Sequence, residues 1–183
     1  MKIALFIAIG LTSVWGVYSY NRLVRDRNRV ETAWSDIDVQ LKRRHDLIPK
    51  LVAAVDQYAA YERSTLTTLV ELRSRVAGVD DLNKKGALEG AIGSGLRSLM
   101  ALVEAYPQLK ADQNFLQLQA ELSEVENQIQ YARRFYNGTV RNLNTRIESF
   151  PDLLVARLFG YRQQPFFELP GAHTAEPAEV EMR

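Results

Sequence analysis

The sequence predicts an all-α protein: an antiparallel four-helix bundle carried on an N-terminal transmembrane helix. Three observations lead there. Residues 3–20, IALFIAIGLTSVWGVYSY, are 18 in a row without a charge. Beyond them, apolar residues recur three or four apart over most of the chain, which is the spacing of one helix face, and no stretch alternates as a half-buried strand does. Glycine and proline are sparse, 10 and 6 in 183 residues, and they gather in a few places, which favours long helices over many turns.

The uncharged run comes first. As a helix its 18 residues cover about 27 Å at 1.5 Å per residue, against a hydrocarbon core of about 30 Å. Trp15, Tyr18 and Tyr20 gather at its C-terminal end, where amphipathic rings favour the membrane interface. A cleaved signal peptide is the competing reading. It fits less well, because no small-x-small cleavage site follows and aromatics and arginines do. Residues 1–21 are therefore assigned as an uncleaved single-pass anchor. Arg22, Arg25, Arg27 and Arg29 follow it, with Asp26 as the one acid among them. This collar outweighs Lys2 and the α-amino group on the other side. The positive-inside rule then places the following domain in the cytoplasm, at a bacterial cytoplasmic (inner) membrane. The same arginines are a candidate membrane collar for anionic headgroups.

From Asn28 to Val76 the apolar series runs Val30, Trp34, Ile37, Leu41, Ile48, Leu51, Val55, Tyr58, Leu69, Leu72, Val76. Its steps of three, four and seven are the seam of a packed helix. Pro49 interrupts it, removing one backbone hydrogen bond and crowding the carbonyl of His45. Either the proline kinks one long helix, or the chain turns at 44–46 with Asp46 as N-cap. The apolar phase does not slip across it, which favours the kink. AGVDD at 77–81 reads as a C-capping glycine followed by N-capping aspartates. The next helix, about Leu82 to Tyr106, carries Gly86, Gly90, Gly93 and Gly95, read as close approach to a neighbouring helix or as a frayed start. Leu96, Leu99, Met100 and Val103 supply its core side, and Pro107 ends it.

Residues 111–148 form the clearest helix, with Phe115, Leu118, Leu122, Val125, Ile129, Ala132, Tyr136, Leu143 and Ile147 on one face. A short amphipathic helix over 151–159 follows, with Phe159, Tyr161, Phe166 and Phe167 beside Arg157 and Arg162. That mixture suits a cap over the bundle or contact with a membrane interface. Residues 170–183 are polar, acidic and proline-containing, the composition of a disordered tail.

Composition narrows the chemistry. With 46% hydrophobic and 25% charged residues the chain resembles an ordinary packed domain. Twenty-three Lys+Arg against 22 Asp+Glu give a net charge of +1, which disfavours a nucleic-acid partner. There is no cysteine, so disulfides, thiolate metal sites and cysteine nucleophiles are excluded. His45 and His173 are the only histidines, and no Glu-x-x-His pair exists for a di-metal carboxylate bundle. No hydrolase, zincin or kinase signature occurs. The expectation is no catalytic residue, no cofactor and no metal. Trp34, Asp36, Asp38, Lys42, Arg43 and Arg44 form a polar cluster, read either as a salt-bridged helix face or as a docking surface for a partner or a second copy.

Longer runs carry a specific resemblance. Tyr20-Asn-Arg-Leu-Val-Arg-Asp-Arg-Asn28, AWSDIDVQLKRRHDLIPKLV (33–52), LVEAYPQLKADQNFLQLQAEL (102–122), ENQIQYARRFYN (126–137) and SFPDLLVARLFGY (149–161) closely resemble the LemA family of membrane-anchored bacterial proteins. The likeness is colinear over 20–169, with departures at Lys50 and Gly138. It implies an N-terminal transmembrane helix, a helical bundle over 22–169 and no established catalytic activity, so no active residue is carried over. It also implies a direction toward membrane organisation. The reading is then a non-enzymatic scaffold on the lipid bilayer, acting by self-association as a homo-oligomer or by docking a membrane-protein partner. The alternative is an accessory subunit of a membrane protease or transporter.

Overall fold

A computed structural model describes residues 1–58, 63–79 and 81–168. The acidic tail expected at 170–183, with His173, lies outside the described residues, as does Asp80 of the capping pair. Six helices follow in order: α1 (Lys2–Asp56), α2 (Arg63–Val76), α3 (Leu82–Val103), α4 (Pro107–Lys110), α5 (Gln113–Glu148) and α6 (Asp152–Leu158). No strand occurs among the described residues, so the all-helical expectation holds.

α1 runs unbroken through Pro49, which overturns the turn at 44–46. Its first part is long and apolar enough to cross a membrane. Ile3, Leu5, Phe6, Ile7, Ile9, Leu11, Val14 and Val17 are all exposed on it. A helix that turns its apolar side chains outward all round is suited to lipid rather than to water.

The apolar series read as one segment over 28–76 is divided between two helices, because α1 stops at Asp56 and α2 starts at Arg63. Tyr58, read as seam, is partly exposed in the turn after α1. Gly78 takes a positive φ of 86° just past α2, a backbone shape that glycine adopts without a Cβ clash. Asp81 then caps α3 by accepting from the Lys84 amide at 2.7 Å. α3 ends at Val103 rather than near Tyr106, and Pro107 opens the short α4. Asp112 accepts from the Phe115 amide at 2.9 Å and starts α5.

The chain divides into two compact units. Unit 1 is Met1–Val39 with Gln130–Phe166, and unit 2 is Gln40–Ile129 with the chain from Phe167 onward. In unit 1, Ser19, Asp26 and Trp34 of α1 meet Asp152, Arg146 and Tyr136 respectively. Numbers rise on one side as they fall on the other, so α1 and α5 pack antiparallel there. Leu23, Val30, Ala33 and Ile37 of α1 and Tyr136, Val140, Leu143 and Ile147 of α5 are buried in this unit's core.

Unit 2 packs the end of α1, the start of α5, and α2, α3 and α4. Its core holds Leu41, Ile48, Leu51, Val55, Leu69, Ile92, Leu99, Leu109 and Phe115. Two of the four α3 glycines serve close approach, Gly95 to a neighbouring helix and Gly86 to the segment at 167–168. A Cβ on Gly86 would run into the backbone carbonyl of Glu168, with the Phe167 ring 3.5 Å away, and one on Gly95 would lie 2.7 Å from Leu69 Cδ2.

Candidate functional site

Two arginine-centred networks stand out, one in each unit. In unit 2, Arg44 is 1% exposed and its partner Glu89, on α3, is fully buried. The Arg44 guanidinium donates through Nη2 to Glu89 Oε2, and again to the Glu89 carbonyl at 3.3 Å. Through Nη1 it donates to Glu126 Oε1 on α5 at 2.9 Å. His45 Nε2 lies 2.9 Å from the other Glu89 oxygen. Burial by itself would raise the Glu89 pKa. The His45 hydrogen bond and the Arg44 charge outweigh it and hold the carboxyl below its ordinary value.

Pro49 contributes to the same region. A proline cannot donate to the carbonyl four residues back, which leaves that of His45 without its helical partner. Arg73 of α2 donates its Nε–H to this oxygen at 2.9 Å. The helix defect thus becomes a tie between α1 and α2. Chemically, both Glu89 oxygens are engaged, one by Arg44 and the other by His45. The arrangement locks helices together.

In unit 1 the charges are reversed. Asp26 of α1 is buried, and Arg146 of α5 donates to it at 2.5 Å. Arg146 also reaches Asp152 at 3.3 Å, and Ser19 donates to Asp152 at 2.6 Å. Close by, the Tyr20 ring lies 4.7 Å from Phe159 and 6.5 Å from Tyr161. The aromatic cluster read from sequence is divided here. Phe159 and Tyr161 belong to unit 1, whereas Phe167 is fully buried beside Gly86 in unit 2.

The proposed docking cluster needs one correction. Asp36, Asp38, Lys42 and Arg43 are exposed. Trp34 is half-buried and packs edge-on against Tyr136 at 5.6 Å. Arg44 is buried and spent on Glu89 and Glu126, so it faces no partner. Of the collar, Arg25, Arg27 and Arg29 are exposed and Arg22 is half-buried, with its guanidinium 5.8 Å from the centre of the Tyr18 ring. Arg27 pairs with Glu31 at 3.1 Å and Arg29 with Asp26 at 3.6 Å.

Glu89 and the inward roles of Asp26 and Arg44 escaped the sequence reading, yet a signal for them was present. Around Arg44 the seam runs Ile37, Leu41, Arg44, Ile48, Leu51, so the seven-residue step from Leu41 to Ile48 skips a position that the arginine occupies. Asp26 stands likewise between Leu23 and Val30, and Glu89 between Gly86 and Ile92. A charge at a seam position is a buried-network signal.

Comparison with known proteins adds the following. The LemA family model matches residues 33–182. Protein LemA of Metamycoplasma hominis is 31% identical over 145 residues, 79% of this chain and 66% of that protein. Magnetosome protein MamQ 2 of Paramagnetospirillum magneticum is 23% identical over 175 residues, 81% of this chain and 64% of that protein. Magnetosome protein MamQ of Magnetospirillum gryphiswaldense is 23% identical over 182 residues, 85% and 67% of the two chains. The chain thus spans just under two thirds of the length of the first two relatives.

Proposed function

The chain belongs to the LemA family, and we propose that it is a non-enzymatic, membrane-anchored scaffold of the LemA type. Its helices after residue 22 work as an antiparallel bundle on the cytoplasmic face of a bacterial inner membrane. The observation that carries this reading is the first part of α1, whose apolar side chains are exposed along a helix long enough to span a bilayer. Relatives bearing the name magnetosome protein support a direction toward membrane organisation. The exposed charges of Asp36, Asp38, Lys42 and Arg43 form the surface through which a second copy or a membrane-protein partner docks.

Because the chain has no cysteine, a single Asp36→Cys variant carries a photocrosslinker at one known place. In membranes, self-crosslinks are the expected product. Crosslinks to one membrane enzyme instead would replace the scaffold with the accessory-subunit reading. A strictly monomeric chain with no crosslinked partner sinks both. A tag placed after Arg183 should be reached by reagents only after cells are opened, and labelling of intact cells overturns the orientation.

A further inference from the structure

The geometry points to a second membrane contact in unit 1: α6 lies in the headgroup layer, and the cleft beside it seats the phosphate of an anionic phospholipid between Arg27 and Arg162. This rests on the membrane-anchor reading.

Depth is the first argument. Ser19 and Tyr20 stand three and two residues before Arg22, the first charge after the apolar run of α1, so they mark where that helix leaves hydrocarbon. Both are tied to the α6 region, Ser19 to Asp152 at 2.6 Å and Tyr20 to the Phe159 ring at 4.7 Å. α6 is therefore held at the level of the bilayer interface.

Surface chemistry is the second. α6 buries Val155 and Ala156 but exposes Leu154 (55%) and Leu158 (79%), with Phe150 (79%) in the turn before it and Phe159 just after it also exposed. Leu154 and Leu158 are four apart on α6 and share one side of it. Large apolar side chains clustered on one exposed side mark an interaction site rather than ordinary surface. Arg157 and Arg162 flank them, exposed. An apolar strip edged by arginines is the pattern of an element lying in a membrane interface.

The third argument is the cleft. A cavity of about 310 Å³ is lined by Tyr20, Arg27, Leu143, Tyr161, Arg162 and Gln164, among others, and no acid contributes to its wall. Two guanidinium groups, two phenols and a side-chain amide provide donors for phosphate oxygens; Arg27 gives its Nε–H to Glu31 at 3.1 Å, which leaves its terminal N–H groups for the ligand. Gly160, with φ of 69°, turns the chain so that Tyr161 and Arg162 come back toward α1. The occupant is a lipid headgroup because the apolar strip beside the cleft offers the acyl chains a surface that a free anion does not need.

The test uses the full chain in vesicles of phosphatidylcholine with or without phosphatidylglycerol. Nitroxide labels are placed singly through Leu11→Cys, Leu158→Cys and Asp36→Cys, with Leu154→Cys in reserve if Leu158→Cys does not fold. Collision with oxygen against a water-soluble nickel chelate reports depth. The labels at 11 and 158 should favour oxygen and that at 36 the chelate. A label at 158 that favours the chelate while 11 favours oxygen overturns the inference and leaves the anchor standing. A label at 11 that favours the chelate overturns the anchor itself.

For the cleft, preference for spin-labelled phosphatidylglycerol over phosphatidylcholine is measured in the parent chain and in Arg27→Gln with Arg162→Gln. Each lost arginine should reduce the preference about fivefold, the equivalent of about 1 kcal/mol near an anionic surface. An unchanged preference overturns the cleft as the site. Inorganic phosphate should not displace the lipid, and full displacement would reassign the cleft to a free anion and overturn the lipid proposal.

Discussion

The two networks use the same parts in opposite places. In unit 2, α1 supplies the arginine, Arg44, and α5 the acid, Glu126, with fully buried Glu89 arriving from α3. In unit 1, α1 supplies the acid, Asp26, and α5 the arginine, Arg146, which is 17% exposed. The difference lies in water. Arg146 keeps partial access to solvent, whereas the Arg44–Glu89 pair has given up nearly all of its hydration. Ion pairs in the two settings look alike as contacts but respond differently to removal. A buried pair adds little net stability, yet losing one partner is expensive because the other charge is stranded. Both pairs stand where apolar side chains were available to the fold. Sliding either helix would bury a charge without its partner, so a slipped register is costly.

Glu89→Ala leaves Arg44 in apolar surroundings with only the partly exposed Glu126 for company, and should cost about 3–5 kcal/mol in chemical denaturation of the detergent-solubilised chain. A loss under about 1 kcal/mol means that the pair is hydrated and the contrast between units is wrong. Replacing both members, Arg44→Met with Glu89→Met, should bring stability back to near or above that of the parent.

Arg146→Ala should cost less, about 1–2 kcal/mol, because the deprived Asp26 retains Arg29 at its exposed edge. Its effect should shrink at high salt, while that of Glu89→Ala should not. Equal salt sensitivity of the two would erase the distinction.

Arg73→Ala strips the His45 carbonyl of its donor and should cost about 1 kcal/mol. In a Pro49→Ala background the residue at 49 regains an N–H for that carbonyl, so the same Arg73→Ala change should cost close to nothing. A cost independent of residue 49 shows that Arg73 acts through packing instead.

The smallest effect is that of acid. Because the folded-state pKa of Glu89 is held below its ordinary value of 4.5, its ionisation contributes stability that is fully present above that value. The contribution is lost as pH falls through the lower folded value. Denaturation curves taken downward from pH 5 should therefore show a steeper acid-side loss in the parent than in the Arg44→Met, Glu89→Met chain. Identical slopes would remove Glu89 from the acid response.

Much of this architecture was legible beforehand. The apolar run, the caps at Gly78 and Asp81, the seam of α5 and the short α6 all follow from residues within a few turns of one another. The continuity of α1 through Pro49 was legible too, from the unbroken apolar phase. The networks were harder to see. Arg44 sits in KRRHD and Asp26 among arginines, and a local reading assigns such residues to a solvated face. Only the step of seven in the apolar series marks the arginine as inward. Glu89 was obscured by the glycines around it, which weaken the seam of α3 before Leu96.

What local spacing decided, then, is helix, an apolar segment long enough to cross a membrane, and end-caps, because hydrophobic phase, length and capping chemistry act over a few residues. What only the folded molecule decided is which partner each inward charge finds. Ser19 meets Asp152 across 133 positions, Arg44 meets Glu89 across 45, and Arg73 reaches the His45 carbonyl across 28. Spacing along one helix carries no information about the helix that will face it. Only packing determines whether a seam arginine is stranded or paired, and whether an exposed strip such as that of α6 stands at the depth of a membrane.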